Sequence, residues 1–231
     1  MEDLYETVGL TRQDLTFNEH ESLSKKVERY LEQQIIEGRL APGLRLTPEV
    51  LAKRLNISKS PVREALMALK KDGLVIYKPR IGFFVAEIHL RDIEEIYPIR
   101  AALNALVFKT IIEAGYSREF LSTLEDTLQK MERTVQQNDV QGYFYLNVGL
   151  YDFAVNYCPN GRLRKMANQF GKQVLRFRYR SMSQPGHVKR SFKRHCRLVE
   201  ALKANDVDET VRVAEEIIYS ALETLRKTMK D

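Results

Sequence analysis

Apolar residues recur at helical spacing in three short segments near the start of the chain, residues 21–38, 47–56 and 58–73. Thr47 and Ser58 stand at the starts of the second and third segments, and residues of their type commonly cap helices. The second segment ends at an asparagine and the third at a glycine, both of which suit a turn. The pattern therefore predicts three helices with a tight turn between the second and the third.

Two β-rich runs, LVIY and FFVAEI, follow the third predicted helix and are separated by KPRIG. Pro79 and Gly82 would close the connection between these runs as a hairpin. Three helices followed by a hairpin predict a winged helix-turn-helix over residues 21–86.

From Asp92 onward the chain shows helical periodicity and no convincing strand pattern. The predicted helices cover residues 91–114, 117–137, 139–157, 160–181, 188–204 and 206–229. We expect a mainly α fold, in which the winged helix-turn-helix precedes an all-α helical bundle. The expected parts are an N-terminal extension (1–20), the winged module (21–86), a linker (87–91) and the helical domain (92–231).

Composition places the 231-residue chain among globular proteins, with 44% hydrophobic and 29% charged residues. No uncharged apolar run is long enough to cross a bilayer, and the first twenty residues are too acidic for a signal peptide. We therefore expect a cytoplasmic protein without a membrane partner. Cys158 and Cys196 lack the spacing of metal ligands, so we expect reduced and mostly buried thiols.

The exposed end of the third helix carries the first candidate chemistry. Because Val62, Leu66 and Leu69 form its buried face, Lys59 and Arg63 point elsewhere, one turn apart. A helix N-terminus followed by an arginine suits a phosphate and a guanine edge, as in the major groove of DNA. The alternative is a solvated cationic face. The predicted DNA-contacting residues are Arg45, Thr47, Ser58, Lys59, Ser60, Arg63, Lys78, Arg80 and Gly82.

The segment PGLRLTPEVLAKRLNISKSPVREALMALKKDGLV resembles the DNA-binding domain of bacterial regulators of the GntR family. The helical remainder is similar to the C-terminal FCD domain of the FadR branch, through IEEIYPIRAAL, CPNGRL and HCRLVEALKANDVDETV. The resemblance implies a homodimer that binds a palindromic double-stranded operator. It also implies that a metabolite bound in each helical domain, the effector domain, changes the affinity for DNA.

Many FCD domains hold a divalent metal with an aspartate and a histidine four residues apart and two further histidines. The resemblance places these positions at Asn147, Tyr151, His195 and near Ile217 in this sequence. Asn and Tyr are poor ligands for a divalent ion, and a single histidine is more often a hydrogen-bonded core residue. We therefore predict no bound metal and no cofactor.

The same positions can still line an effector-binding cavity. Arg100 matches an arginine common in the FCD pattern, whereas Asn104 replaces its usual glutamate. The alternative for Asn104 and Asn147 is a buried hydrogen bond that only fixes the bundle. The predicted effector-binding residues are Arg100, Asn104, Tyr143, Asn147, Tyr151, Arg178 and His195.

A basic block at residues 162–197 contains twelve Lys or Arg and no Asp or Glu. Such charge at a cavity mouth would favour an anion, either a carboxylate or the phosphates of an acyl-coenzyme A. The alternatives are a solvated surface and non-specific contact with DNA.

These observations together predict a dimeric transcriptional repressor without enzymatic activity, whose DNA affinity is controlled by a small anion. One alternative is an architectural DNA-binding protein that responds to no ligand. Another is a helical-bundle enzyme with a DNA-binding leader, against which the chain offers no paired nucleophile and base, no phosphate-binding loop and no intact metal set.

Overall fold

The structure, a computed structural model, describes residues 21–169 and 171–229. Its contacts divide the chain into two units, with the boundary between Ile88 and His89. The predicted N-terminal extension, residues 1–20, lies outside the described residues.

The N-terminal unit contains the predicted three helices and hairpin. Along the chain its described elements are α1 (Leu23–Ile36), β1 (Arg45–Leu46), α2 (Pro48–Leu55), α3 (Lys59–Lys71), β2 (Val75–Lys78) and β3 (Gly82–Val85). The strands form an antiparallel sheet in the order β1-β3-β2, in which Arg45 lies opposite Phe84. The prediction missed β1, because a strand of two residues has no periodicity of its own.

The turn between α2 and α3 has the geometry of a helix-turn-helix. Asn56 adopts the left-handed conformation at φ 50° and ψ 52°, as its residue type permits. Ser58 is in the extended conformation at the N-cap of α3, yet its side chain makes no capping hydrogen bond. Ser58 is therefore the N-cap residue of this helix, as predicted, although its hydroxyl takes no part in the cap.

A single apolar cluster fills the N-terminal unit. Leu31 of α1, Leu55 of α2, Leu66 of α3 and Val85 of β3 are fully buried in it. Burying side chains of this size stabilises the unit by roughly 1.5–3 kcal/mol each. The packing therefore fixes which face of α3 is left to solvent.

The C-terminal unit is helical throughout its described residues, as predicted. Its helices are α4 (Leu90–Ala114), α5 (Arg118–Gln136), α6 (Val140–Tyr157), α7 (Gly161–Gln169), α8 (Gly171–Met182), α9 (His187–Lys203) and α10 (Val207–Thr228). The predicted helix 160–181 corresponds to α7 and α8, on either side of residue 170. No helix in the described ranges is long and apolar enough to span a membrane.

The two longest helices of this unit, α4 and α10, pack against each other, and α9 packs against α10. Aromatic and aliphatic side chains of α4, α5 and α6 form the core, including fully buried Tyr97, Phe108, Phe120 and Phe144. Both cysteines are free, with Cys158 buried and Cys196 partly buried. Among these apolar groups the bundle also buries polar side chains of α4, α6, α8 and α9.

Candidate DNA-reading surface and effector cavity

The N-terminal end of α3 is an exposed cationic feature of the first unit. Val62, Leu66 and Leu69 are fully buried, so the opposite side of the helix faces solvent. Ser58, Lys59, Ser60 and Arg63 are all exposed there. Since the Ser58 side chain does not cap the helix, the first-turn N–H groups can donate hydrogen bonds to an anion such as a phosphate.

Lys59 and Arg63 differ in how the protein holds them. The Lys59 ammonium lies 3.3 Å from Glu49 Oε1 at the start of α2. A backbone hydrogen bond and this lysine hold the pKa of Glu49 below its usual range. Arg63 forms no ion pair with any residue that the structure describes. The arginine is therefore free to contact a ligand, whereas the lysine must first leave a carboxylate.

The wing tip is held by Arg45, whose Nη2 donates a hydrogen bond of 2.6 Å to the carbonyl oxygen of Ile81. Gly82 follows with φ +120°, a conformation that L side chains rarely adopt. Arg80, at the turn itself, also has a positive φ of 63° and is exposed. Arg80 therefore lies at the wing tip, and Arg45 supports the tip through its bond to Ile81.

Lys78 and Thr47 complete the predicted set in the first unit. The Lys78 ammonium lies 5.1 Å from the centroid of the Phe84 ring, which fixes its stem along the wing. Thr47 is the N-cap residue of α2 and is half-buried. Glu49 was missed, although an acidic residue in the first turn of a helix is a recognisable signal.

In the C-terminal unit, α4, α6, α8, α9 and α10 enclose a cavity of about 40 Å³. Six of the seven predicted effector-binding residues line it: Arg100, Asn104, Asn147, Tyr151, Arg178 and His195. Tyr143 does not line it, but its hydroxyl lies 3.0 Å from Ser191 Oγ, and Ser191 does line it. Ser181, His187 and Ser191 also contribute to the wall and were not predicted, because no motif or spacing in the sequence indicates them.

A chain of hydrogen bonds crosses the cavity wall. Arg178 Nη2 donates to Asn147 Oδ1 at 2.6 Å. Asn147 Nδ2 lies 2.9 Å from His195 Nε2, and His195 Nδ1 lies 2.8 Å from the carbonyl oxygen of Ser191. Because a carbonyl can only accept, Nδ1 carries the proton of the neutral ring and Nε2 accepts from the amide. Each of these hydrogen bonds therefore joins a donor to an acceptor.

Burial sets the charges in the cavity. It lowers the pKa of His195 to about 4, so the ring is neutral near pH 7. Burial, with a smaller contribution from the charge of Arg100, lowers the pKa of Arg178 to about 10, so this side chain stays cationic. Burial likewise lowers the pKa of His187 to about 4. The two arginines are consequently the charged groups of the lining at neutral pH.

Neither cavity arginine has a carboxylate partner among the described residues. The Arg100 guanidinium is only 6% exposed and lies over the Tyr97 ring at 5.1 Å. Asp152 forms no ion pair with Arg178 among the described residues, and the two interact only through their charges. Burial raises the pKa of the Asp152 carboxyl group, and the charge of Arg178 offsets part of that rise. Two cations close together without a counter-ion are costly to bury.

The family's metal positions do converge on this cavity, because Asn147, Tyr151, His195 and Ile217 all line it. Their chemistry does not fit a divalent ion. Asn147 Oδ1 already accepts from Arg178, the Nε2 lone pair of His195 accepts from Asn147, and Ile217 has no donor atom. Among the described residues, one cluster has carboxylate, thiol or imidazole groups close enough to share an ion. It consists of Glu28, Glu32 and Asp72, which lie in the other unit.

The basic block 162–197 does not form the mouth of the cavity as expected. Of its twelve cations, Arg178 alone is among the cavity residues. Arg194 and Arg197 instead form ion pairs with Glu216 of α10, at 3.0 and 3.1 Å. Acidic residues of a later helix therefore pair with two cations of a run that looks unpaired in the sequence.

Comparison with known proteins gives matches along nearly the whole described chain. A model described as bacterial regulatory proteins, gntR family, matches residues 23–85, and the FCD domain model matches residues 95–220. McbR, an HTH-type transcriptional regulator of Escherichia coli K12, is 29% identical over 191 residues, which cover 81% of this chain and 85% of McbR. The solved structure of E. coli McbR/YncC has a TM-score of 0.76 at 25% identity, covering 90% of this chain and 99% of that one.

Two further relatives have the same kind of description. YdhC of Bacillus subtilis 168, an HTH-type transcriptional regulator, is 28% identical over 174 residues, or 75% of this chain and 77% of YdhC. RspR of E. coli K12, an HTH-type transcriptional repressor, is 21% identical over 214 residues, or 93% of each chain.

Proposed function

The chain belongs to the GntR family of bacterial regulatory proteins and carries an FCD effector domain, and we propose that it is a homodimeric repressor whose affinity for a palindromic operator is set by a small anionic metabolite. Its relatives are transcriptional regulators, a non-enzymatic family, which sets aside a helical-bundle enzyme. One of them, RspR, is described as a repressor.

The observation that carries the DNA-reading part is the exposed end of α3. Arg63 would make the bidentate contact to O6 and N7 of a guanine, because its guanidinium is exposed and unpaired within the described residues. Ser58, Ser60 and the first-turn N–H groups would bind phosphate oxygens. Lys78 and Arg80 on the wing would add charge beside the minor groove.

The effector part rests on the cavity of the C-terminal unit. Two buried guanidinium groups with no carboxylate partner in the described chain make this site favourable for an anion. A volume of about 40 Å³ suits a small carboxylate and leaves no room for an acyl-coenzyme A. Binding would favour one arrangement of the reading modules, so that their spacing fits or misfits the operator.

Support for a homodimer comes from the outer face of α4. Ile99 and Leu106 remain 48% and 47% exposed, with the small Ala102 between them. Glu95 and Lys109 extend the same stripe at spacings of four and three residues. An apolar centre with charged ends is typical of a helix face that another helix covers.

The stripe is complementary to itself when a second copy lies antiparallel. With a two-fold axis near Ala102, Ile99 would face the partner's Leu106, and Glu95 would face the partner's Lys109. Leu106→Glu would then shift the protein toward monomers in analytical ultracentrifugation. Met166→Glu on α7, whose side chain is 53% exposed, is the matched control that should leave the association unchanged.

The whole proposal is tested by selecting binding sites from random duplex DNA with the purified chain. We expect a short palindrome, binding that weakens steeply with salt, and a reporter gene that the protein represses from that site. Equal affinity for all sequences would instead favour the architectural protein. No response of DNA binding to any small carboxylate would remove the effector part and leave the reading part intact.

A further inference from the structure

We infer that Arg178 takes the place of the divalent metal that many FCD domains hold, and that the cavity binds a small hydroxycarboxylate without a metal ion. The inference rests on the proposed effector function of this cavity. It is carried by three features: the bonds of Arg178, the unpaired charge of Arg100, and an unsatisfied acceptor on Asn104.

Arg178 bonds to Asn147, the first of the family's metal-ligand positions, as a metal would. There the family has an aspartate whose oxygen would bind the ion, and here Asn147 Oδ1 accepts from the guanidinium at 2.6 Å. A second bond, from Arg178 Nη2 to the Asn147 carbonyl oxygen at 3.2 Å, fixes the same group. A permanent positive charge is thereby held at the wall where a metal would otherwise supply it.

His195, the remaining family ligand, is committed to the same chain. Its Nε2 lone pair accepts a hydrogen bond from Asn147 Nδ2, and its Nδ1–H donates one to the Ser191 carbonyl oxygen. A metal on Nε2 would have to break the bond to the amide and would lie beside a fixed guanidinium. Both costs oppose a cation and leave an anion as the favoured occupant.

A carboxylate satisfies the two arginines together. Arg178 uses one guanidinium nitrogen on Asn147, and Arg100 lies over the Tyr97 ring without a carboxylate partner among the described residues, so both retain donors. Arginine donors match carboxylate oxygens in geometry as well as charge. Binding a carboxylate between them would also remove the repulsion between the two buried cations.

The hydroxyl group is inferred from Asn104 on α4. This side chain is 3% exposed and lines the cavity, and its Nδ2 donates to the Ala214 carbonyl oxygen at 2.7 Å. That bond fixes the amide so that Oδ1 is the free acceptor, and Oδ1 has no partner among the described residues. An unsatisfied buried acceptor requires a donor, and a hydroxyl supplies one without adding a third positive charge.

The size of the cavity limits the ligand. About 40 Å³ corresponds to roughly three water-sized groups at the 10–15 Å³ that one water needs. Glycolate and lactate are among the smallest hydroxycarboxylates, and their counterparts acetate and propionate differ from them by one hydroxyl. These two pairs therefore test the carboxylate and the hydroxyl separately.

The experiment measures the affinity of the full-length protein for each of the four acids by calorimetry, in EDTA and again with added Zn²⁺. We expect glycolate or lactate to bind at least tenfold more tightly than its counterpart, equally well in EDTA. Binding that EDTA abolishes, or no preference for the hydroxy acid, would overturn the inference while leaving an anion-controlled regulator. Failure of all four acids and of larger anions would instead remove the proposed effector function.

Variants assign the effect to residues. Arg100→Gln and Arg178→Gln should each weaken lactate binding tenfold or more, and Arg100 is the safer change because, unlike Arg178, it does not bond to Asn147. Arg180→Gln is the matched control. Arg180 lies two residues after Arg178 on α8 and is exposed, and among the described residues its side chain bonds only to the Thr228 carbonyl. If the Arg180 variant lost as much as the Arg100 variant, the charge of the block rather than the cavity would be responsible, and the inference would fail.

Asn104→Ala tests the hydroxyl through a ratio. It should abolish the preference for lactate over propionate while propionate affinity changes little, a result that general loosening of the bundle would not give. An unchanged ratio would refute the role of Asn104 Oδ1.

Metal analysis gives an independent test. The purified natural sequence should contain no stoichiometric Zn or Ni after a tag-free preparation, and about one ion per chain would overturn the inference. Restoring the family donors with Asn147→Asp, Tyr151→His and Ile217→His should create binding of Zn²⁺ when Arg178→Ala is added. If that variant bound Zn²⁺ no less tightly with Arg178 retained, the arginine would not occupy the metal's place.

Discussion

The two units of this protein place their charges in opposite ways. In the N-terminal unit the core is apolar and the cations of α3 are exposed, whereas the C-terminal unit buries Arg100 and Arg178 beside neutral His195. Exposed cations keep their hydration and cost little, so they are available to a large polyanion such as DNA. Buried cations lose hydration, and only a specific neighbour or ligand restores the loss.

This difference explains what each surface can discriminate. In the proposed function, the α3 surface would contact phosphates through sequence-independent charge and would need only a few residues, chiefly Arg63, to read bases. The proposed effector would be enclosed by the cavity, which could reject a wrong ligand through a single unmatched atom such as Asn104 Oδ1. The first unit is therefore suited to a polymer and the second to one small molecule.

The largest effect should come from the apolar core of the reading unit. Leu66→Ala removes a fully buried side chain from the centre of α3 and should cost about 2–5 kcal/mol in the free energy of unfolding. Urea unfolding followed by circular dichroism measures it. Met67→Ala, one position along and 49% exposed, should stay within about 0.5 kcal/mol. Equal losses would mean that burial does not distinguish the two faces of α3.

The pH dependence of stability should come from the cavity. Burial lowers the pKa of His195 to about 4, against about 6.5 in the unfolded chain. Between these values the folded state binds fewer protons, so the free energy of unfolding should decrease as the pH falls. The full shift corresponds to about 3 kcal/mol, and a protonated Nε2 would also oppose the Asn147 amide donor.

Comparing the natural protein with His195→Gln isolates this residue from the other titrating groups. Urea midpoints at pH 7.5, 6.0 and 5.0 should fall more steeply for the natural protein than for the variant. His187, whose pKa is also lowered by burial, is present in both proteins and cancels in the difference. Parallel slopes would show that His195 is not buried as a neutral ring.

Base reading should be the next effect in size. Arg63→Ala should lose about 1–3 kcal/mol for the selected site and relax the preference at one base pair, without changing stability. Fluorescence anisotropy with matched and mutated duplexes measures both. Arg80→Ala on the wing is the control, which should weaken all duplexes evenly and lower the salt slope by about 1. An unchanged affinity of the Arg63 variant for its own site would contradict the assignment.

The sequence predicted the helices and the exposed face of α3 because both depend on local spacing. Val62, Leu66 and Leu69 alone decide which way Arg63 points, and the structure has the same face exposed. It could not predict β1, because Arg45 and Leu46 become a strand only by pairing with β3. The N-cap position of Ser58 was also predicted, whereas the absence of a side-chain hydrogen bond there could not be, since residue type indicates the position and not the bond.

The cavity was predicted in outline through the family resemblance, yet its chemistry was not. The series of hydrogen bonds from Arg178 through Asn147 to His195 joins three helices, and no rule of sequence spacing connects these residues. The basic block was misleading because Glu216, on a later helix, pairs with two of its cations. Helical periodicity in so polar a run did not separate buried Arg178 from exposed Arg180.

The smallest expected effect concerns Lys59, a cation of the reading surface that already has a carboxylate partner. Lys59 is paired with Glu49, so DNA must compete with a carboxylate for it. Glu49→Gln should free the lysine and raise affinity for DNA roughly twofold to fivefold at low salt, with no gain at high salt. Glu64→Gln, also exposed on α3 and 3.4 Å from Ser60 Oγ, removes the same charge without freeing Lys59. A larger gain for the Glu49 variant assigns the effect to the ion pair, and equal gains would reduce it to net charge.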